Sequence, residues 1–133
     1  MKQLSIALIT ILFATAFTSC KKDSAIPASQ NLSIEGIWNG NYHYDDSTTT
    51  YFYRLKIKSG GVIERLTNSN EVDGTGTWVL NGNQLTATYK NLPAQTVTYT
   101  ITATWDSATN KLVGETASSN SNIFTSFFTL TKM

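Results

Sequence analysis

Apolar and polar residues alternate along most of the chain after residue 33. The clearest example is the segment 97–105, VTYTITATW, in which every second residue is threonine. Successive side chains of a β-strand point to opposite faces, so this pattern predicts a strand with one buried and one solvated face. Threonine suits the solvated face because its branched Cβ favours extended backbone. No stretch in this part of the chain has helical spacing.

Turn-forming residues divide this region into eight short segments. We predict strands over residues 34–44, 49–58, 62–67, 73–80, 84–90, 95–105, 111–117 and 123–132. The short connections indicate antiparallel neighbours, and closing such a meander into a barrel removes its two free edges. The sequence therefore predicts an all-β fold, an eight-stranded antiparallel up-and-down barrel. A two-sheet sandwich is the alternative.

The first twenty residues follow a different pattern. A positively charged start, Met1-Lys2, precedes an apolar run from Leu4 to Phe17, as in a secretory signal helix too short to span a bilayer. The run ends in Phe17-Thr18-Ser19-Cys20, and Cys20 is the only cysteine. This arrangement resembles the lipobox of bacterial lipoproteins. The resemblance implies cleavage before Cys20 and attachment of acyl chains, such as palmitate, to that residue. An ordinary signal peptide with an incidental cysteine is the alternative.

These patterns predict three segments: a lipoprotein signal peptide at 1–19, a lipidated cysteine and flexible linker at 20–33, and a barrel domain at 34–133. The linker is polar and contains Pro27. Fully extended, its dozen or so residues would span up to ~40 Å. The resemblance to bacterial lipoproteins implies that the residue after the cysteine is read as a sorting signal. Lys21 is not the aspartate associated with retention in the inner membrane, so the outer membrane is favoured. The membrane is thus the predicted partner, through lipid on Cys20.

Composition limits the chemistry available to the chain. A net charge of +1 over 133 residues gives no basis for binding nucleic acid. A single cysteine excludes an internal disulfide and a thiolate metal cluster. The only histidine, His43, lies near Asp45 and Asp46 on the outward parity of the first strand, where a catalytic or metal site would need a second histidine or a nucleophile held by a base. We therefore expect no enzymatic activity, no metal and no cofactor.

The tripeptide Gly36-Ile37-Trp38 begins the first predicted strand. Together with the eight-strand meander, it resembles the opening motif of the lipocalins and their calycin relatives, which include streptavidin. The resemblance implies that Trp38 closes one end of the barrel and that the interior binds small, often apolar molecules. The arginine that covers this tryptophan in lipocalins is absent, and the stem of Lys132 could take its place.

Large rings fall on the inward parity of the predicted strands. Our candidate cavity residues are Trp38, Tyr42, Tyr51, Tyr53, Trp78, Tyr89, Tyr99, Trp105, Phe124 and Phe128, together with Glu64. An eight-stranded barrel is just wide enough to be filled by side chains or to hold one small ligand, so these rings either line a cavity or fill it.

The third predicted strand, VIERL, places a charge inside the barrel in either parity. If Val62 points inward, so does Glu64; if Ile63 points inward, so does Arg65. A bulge near residues 59–61 would leave both charges outside. A buried charge needs a partner or a ligand, so this strand is the best indication of a polar anchor in the sequence.

The leading functional prediction is a lipid-anchored barrel that binds a small apolar or amphipathic ligand at the cell envelope. The alternative is a packed barrel that serves as a structural or protein-interaction module of the envelope. The volume of the interior distinguishes these two functions: a cavity lined by the aromatic rings favours ligand binding, and a completely filled interior favours the interaction role. The sequence does not identify the ligand.

Overall fold

The computed structural model of the chain describes residues 32–120 and 125–133. The predicted signal helix, Cys20 and most of the linker lie outside these ranges, as does Phe124. Within them no helix has the length and apolar character needed to cross a membrane.

Eight strands form the described part of the chain, in the alternating pattern that the sequence predicts. They are β1 (Gly36–Tyr44), β2 (Tyr51–Lys58), β3 (Val62–Leu66), β4 (Val72–Asn81), β5 (Gln84–Asn91), β6 (Thr98–Asp106), β7 (Lys111–Ser118) and β8 (Ser126–Lys132). A short 3₁₀ turn, Ser59–Gly61, joins β2 to β3.

Each strand pairs antiparallel with the next, and β8 pairs with β1, so the sheet is a closed barrel in up-and-down order. The seam runs from Trp38 opposite Lys132 to Tyr44 opposite Ser126. This confirms the predicted barrel, and the sandwich alternative is wrong. The architecture is consistent with a lipocalin-like fold. The last strand begins at Ser126 rather than at the predicted residue 123.

The two ends of the barrel differ. At the end that carries the first residues of β1 and the last residues of β8, the segment before β1 packs into the barrel; we call this the capped end. Ile34 is buried there and its carbonyl accepts a 2.8 Å hydrogen bond from Trp38 Nε1. Lys132 Nζ donates to the carbonyl of Ser33 over 2.6 Å. The opposite end, where β1 connects to β2 and β3 to β4, is the open end.

Apolar side chains fill the interior between the two ends. The largest side chains with almost no exposure are Trp38, Leu55, Ile57, Ile63, Leu85, Ile101, Leu112 and Leu130. Glycines on the inner face let neighbouring strands approach closely. A Cβ on Gly76 would lie 1.7 Å from the carbonyl oxygen of Thr88, and one on Gly114 would lie 2.2 Å from that of Thr102. These positions therefore serve close strand packing rather than a wider cavity.

Candidate ligand-binding site

The inward rings separate by chemical type along the barrel axis. The tryptophans lie toward the capped end, where Trp38 is fully buried and Trp78 and Trp105 are partly buried beside it. The tyrosines converge at the open end, on β1, β2, β5 and β6. The polar end of the barrel interior is thus the open end.

The tyrosine rings pack against one another in pairs. Tyr89 stacks on Tyr99 with ring centroids 5.0 Å apart, and Tyr42 stacks on Tyr51 at 5.2 Å. Tyr53 lies edge-on to Tyr42 at 5.7 Å and to Phe128 at 5.3 Å. Aromatic pairs in these arrangements stabilise each other, so the rings hold one another in place around the open end of the interior.

Arg65 is the charged residue that lies on the inner face of β3. It is opposite the fully buried Leu55 of β2, and Ile63, two residues earlier, is also fully buried. Glu64 lies on the outer face, where its Oε1 accepts a 2.9 Å bond from Lys58 Nζ. Its predicted place among the cavity residues is corrected accordingly, because the inward parity belongs to Ile63. The register shift that does occur falls between Arg65 and Leu66, and not at residues 59–61.

A carboxylate on the neighbouring strand holds the Arg65 guanidinium. Nε donates to Asp73 Oδ1 over 2.7 Å, and an Nη donates to Oδ2 over 2.5 Å, so the pair is bidentate. The hydrogen bond with Asp73 raises the pKa of Arg65 above its ordinary value. The guanidinium has five N–H donors, and this pair uses only two of them.

Buried phenol hydroxyls surround Arg65. Burial raises the pKa of Tyr53 well above 10, and it also raises the pKa of Tyr89, which accepts a 3.4 Å hydrogen bond from the Tyr53 hydroxyl. Burial, followed by the neighbouring Tyr44, raises the pKa of Tyr42 to about 12. These hydroxyls stay protonated at neutral pH. The Tyr53 proton is used in the bond to Tyr89, so the Tyr89 hydroxyl is the one of that pair that can donate to a ligand.

Two hollows open between these residues. One has a volume of about 160 Å³ and is lined by Tyr42, Tyr53, Arg65, Tyr89, Tyr99 and Thr116, with further polar side chains at its edge. The other, about 310 Å³, shares Tyr42, Tyr53 and Arg65 and extends toward Asp73. We call the two together the open-end cup. Drug-sized ligands occupy ~300–1,000 Å³, so the smaller hollow suits the polar head of a ligand.

The candidate cavity residues are thus divided between different places. Tyr42, Tyr53, Tyr89 and Tyr99 line the open-end cup, and Tyr51 lies half-exposed at its rim, stacked on Tyr42. Phe128 is buried beneath Tyr53. The tryptophans Trp38, Trp78 and Trp105 lie toward the other end. Phe124 lies outside the described residues.

Arg65, Asp73 and Thr116 are cup residues that the list of candidates lacked. Parity pointed to Arg65 as one of two alternatives, because it shares a face with Ile63. Asp73 sits at the β3–β4 register shift, where alternation no longer indicates the face. Thr116 shares the inward parity of Leu112 and Gly114 in the seventh strand, and this parity could have identified it, although it otherwise resembles the many threonines of the outer faces.

A wider hollow of about 740 Å³ lies along β6, β7, β8 and β1. It is lined largely by outward side chains such as Thr102, Val113 and Phe127. His43 lies on this face, with its ring 5.8 Å from that of Phe127. Unlike the cup, this hollow has no buried group of convergent hydrogen-bond donors among the described residues that line it. We therefore place the candidate site at the open end.

Within residues 32–120 and 125–133, no three histidine, cysteine, aspartate or glutamate side chains come together as metal ligands would. Comparison with known proteins found no match among family models, curated proteins or solved structures.

Proposed function

We propose that this chain is a lipid-anchored, lipocalin-like envelope protein that binds a small amphipathic molecule by its polar head. The observation that carries the proposal is the open-end cup, in which Arg65 and the hydroxyls of Tyr53 and Tyr89 converge on one small hollow. Anchoring through Cys20 is supported by the lipobox resemblance and by the absence of any other cysteine. Lys21 favours the outer membrane.

The shape of the cup favours an amphipathic ligand over a wholly apolar one. The interior beneath the tyrosines is filled by side chains such as Leu55, Ile101 and Leu130, so an acyl chain has no room to lie along the barrel axis. A polar head in the smaller hollow would leave its apolar part against the tyrosine rings and the rim. The Tyr89 hydroxyl and the guanidinium N–H groups that Asp73 does not hold are donors, so the head should carry acceptor oxygens, as a carboxylate does.

The first test is to identify the ligand. Native mass spectrometry of the full lipidated protein, extracted from its own membrane, should show a non-covalent small molecule in addition to the mass of the acyl chains. Calorimetric titration with alkyl compounds of equal length and different heads should then rank carboxylates above alcohols and amines.

The Arg65→Gln variant gives the first specific prediction. Losing a charge-assisted hydrogen bond of ~1.5–3 kcal/mol should weaken carboxylate binding about tenfold or more. Lys56→Gln removes one positive charge from the outer face and should leave affinity unchanged. Because Arg65→Gln alone leaves Asp73 unpaired, the double variant Arg65→Gln/Asp73→Asn is needed as well. Equal affinity in all these proteins would contradict the proposal.

The filled interior favours a second candidate, an interaction or structural module of the envelope. That function becomes the better one if the extracted protein carries no small molecule and no head group in the series binds. Variants of the cup would then change stability without changing any ligand equilibrium.

A further inference from the structure

Apolar side chains are exposed around the capped end, away from the cup. Val79 is 69% exposed, Leu32 is 50% exposed and Met133 is 75% exposed. Leu32 and Val79 line an open groove of about 520 Å³, together with Trp78, Leu80 and Trp105 among others. We call this surface the capped-end rim. Such a group of exposed apolar residues is a mark of an interaction surface.

The capped-end rim has the character of a surface that meets a lipid headgroup layer. Trp78 is held by a 2.9 Å hydrogen bond from Nε1 to the Lys58 carbonyl, and the groove exposes part of its ring. Indole rings favour the boundary between water and hydrocarbon because they are amphipathic.

Charged side chains of both signs lie near the rim. Lys111 lies opposite Asp106 in the β6–β7 register, and Lys58 pairs with Glu64 at 2.9 Å. The Lys132 ammonium is bound to the Ser33 carbonyl. The rim therefore offers apolar contact rather than a positive electrostatic field that would attract an acidic partner. Its contact with a membrane does not require anionic lipid.

The position of Leu32 in the chain indicates that the membrane is what the rim contacts. Leu32, at the edge of the groove, is where the preceding residues join the barrel, and about a dozen residues separate it from Cys20. If Cys20 carries lipid, these residues hold the capped end within ~40 Å of the bilayer. Such a short tether gives the rim a high effective concentration at the lipid surface.

We infer that the capped end rests on the bilayer surface, with Leu32, Val79 and Trp78 in the headgroup layer and the open-end cup facing the aqueous compartment. This inference depends on the anchoring part of the proposed function. It adds a fixed orientation: the barrel contacts the membrane at one end, and ligand enters from the other.

Intrinsic fluorescence reports directly on this contact, because the chain has three tryptophans and all lie toward the capped end. Full-length lipidated protein would be reconstituted in phosphatidylcholine vesicles whose acyl chains carry bromine near the headgroup or near the bilayer centre. We expect shallow bromines to quench the fluorescence more than deep ones. Raising the salt concentration should not change the quenching, because the contact is apolar and phosphatidylcholine carries no net charge.

Two variants of one strand make the comparison specific. Val79→Asp should reduce the quenching at least about twofold, because a carboxylate resists transfer from water. Val72→Asp is the matched control: it changes another exposed valine of β4, 44% exposed, at the open end. It should leave the quenching at the wild-type level. Both variants should float with the vesicles through their lipid.

The outcomes separate the anchor from the contact. Wild-type protein that does not float with vesicles overturns the anchor, and this inference with it. Protein that floats but is not quenched overturns the contact alone. The contact is also overturned if Val79→Asp and Val72→Asp are quenched equally.

Discussion

At the scale of single residues, the face of the strand on which a side chain lies decides the different roles of Arg65 and Glu64. Both are charged neighbours on β3, yet one lies inside the barrel against Asp73 and the other lies outside against Lys58. Alternation narrowed the choice to two residues but could not decide it, because Ile63 and Val62 are equally apolar. The contact that decided it, Leu55 opposite Arg65, joins two strands and is not visible in either alone.

The buried tyrosines make stability depend on alkaline pH. Burial raises the folded-state pKa of Tyr53 well above 10, whereas the unfolded chain ionises near its ordinary value of ~10. The unfolded state therefore loses protons first as pH rises. The contribution of Tyr53 is fully present below about pH 10 and is lost progressively at higher pH, by up to ~1.4 kcal/mol per pH unit.

The variant Tyr53→Phe tests this assignment. Denaturant unfolding measured between about pH 10 and 12 should show a shallower loss of stability in Tyr53→Phe than in the wild type. Thr116→Val removes a hydrogen-bond partner of Tyr53 but no titratable proton, so it should lower stability while keeping the wild-type slope. Identical slopes for Tyr53→Phe and the wild type would show that Tyr53 ionises normally in the folded protein.

At the scale of strands, alternation and turn residues were sufficient to predict the elements. Each of the eight predicted segments coincides with a strand to within three residues at either end, and the order is the predicted meander. The β3–β4 register shift could not be predicted, because an extra residue in a ladder depends on the partner strand. The separation of tyrosines from tryptophans along the barrel axis could not be predicted either, because it depends on how neighbouring strands are aligned with one another.

The contact between β4 and β5 yields a second stability prediction. In Gly76→Ala the new methyl group would lie 1.7 Å from the Thr88 carbonyl oxygen, so the two strands must separate. We expect a loss of ~3 kcal/mol or more in urea unfolding followed by tryptophan fluorescence. Gly82→Ala is the control: its φ of +62° strains an alanine, but no atom lies within 4 Å of the new methyl group. It should cost only ~1 kcal/mol. Equal losses would mean that strand spacing adapts easily at Gly76.

At the scale of the whole molecule, closure depends on one seam between the first and last strands. Thr129 of β8 lies opposite Asn41 of β1 and Val113 of β7. In Thr129→Pro one of these ladders loses a hydrogen bond and the ring disrupts the strand, at a cost of ~3 kcal/mol or more. Thr129→Ala keeps the amide and should cost less than ~1 kcal/mol.

Size-exclusion chromatography and thermal unfolding check the seam. Thr129→Pro should unfold at a lower temperature and form aggregates, because opening the seam exposes the edges of β1 and β8. Thr129→Ala should elute as the wild type does. A monomeric Thr129→Pro protein with unchanged thermal stability would show that the barrel does not need a continuous β8.

Pairing of β8 with β1 also determines when the domain can acquire its structure. Ser126–Lys132 form the last of the eight strands in chain order, so a nascent chain cannot close the ring before this segment has been synthesised. Until then every nascent form has two unpaired strand margins and no enclosed interior. A chain built this way can become resistant to unfolding only after β8 has emerged, and a narrow pore that it met before then would receive it without a closed barrel.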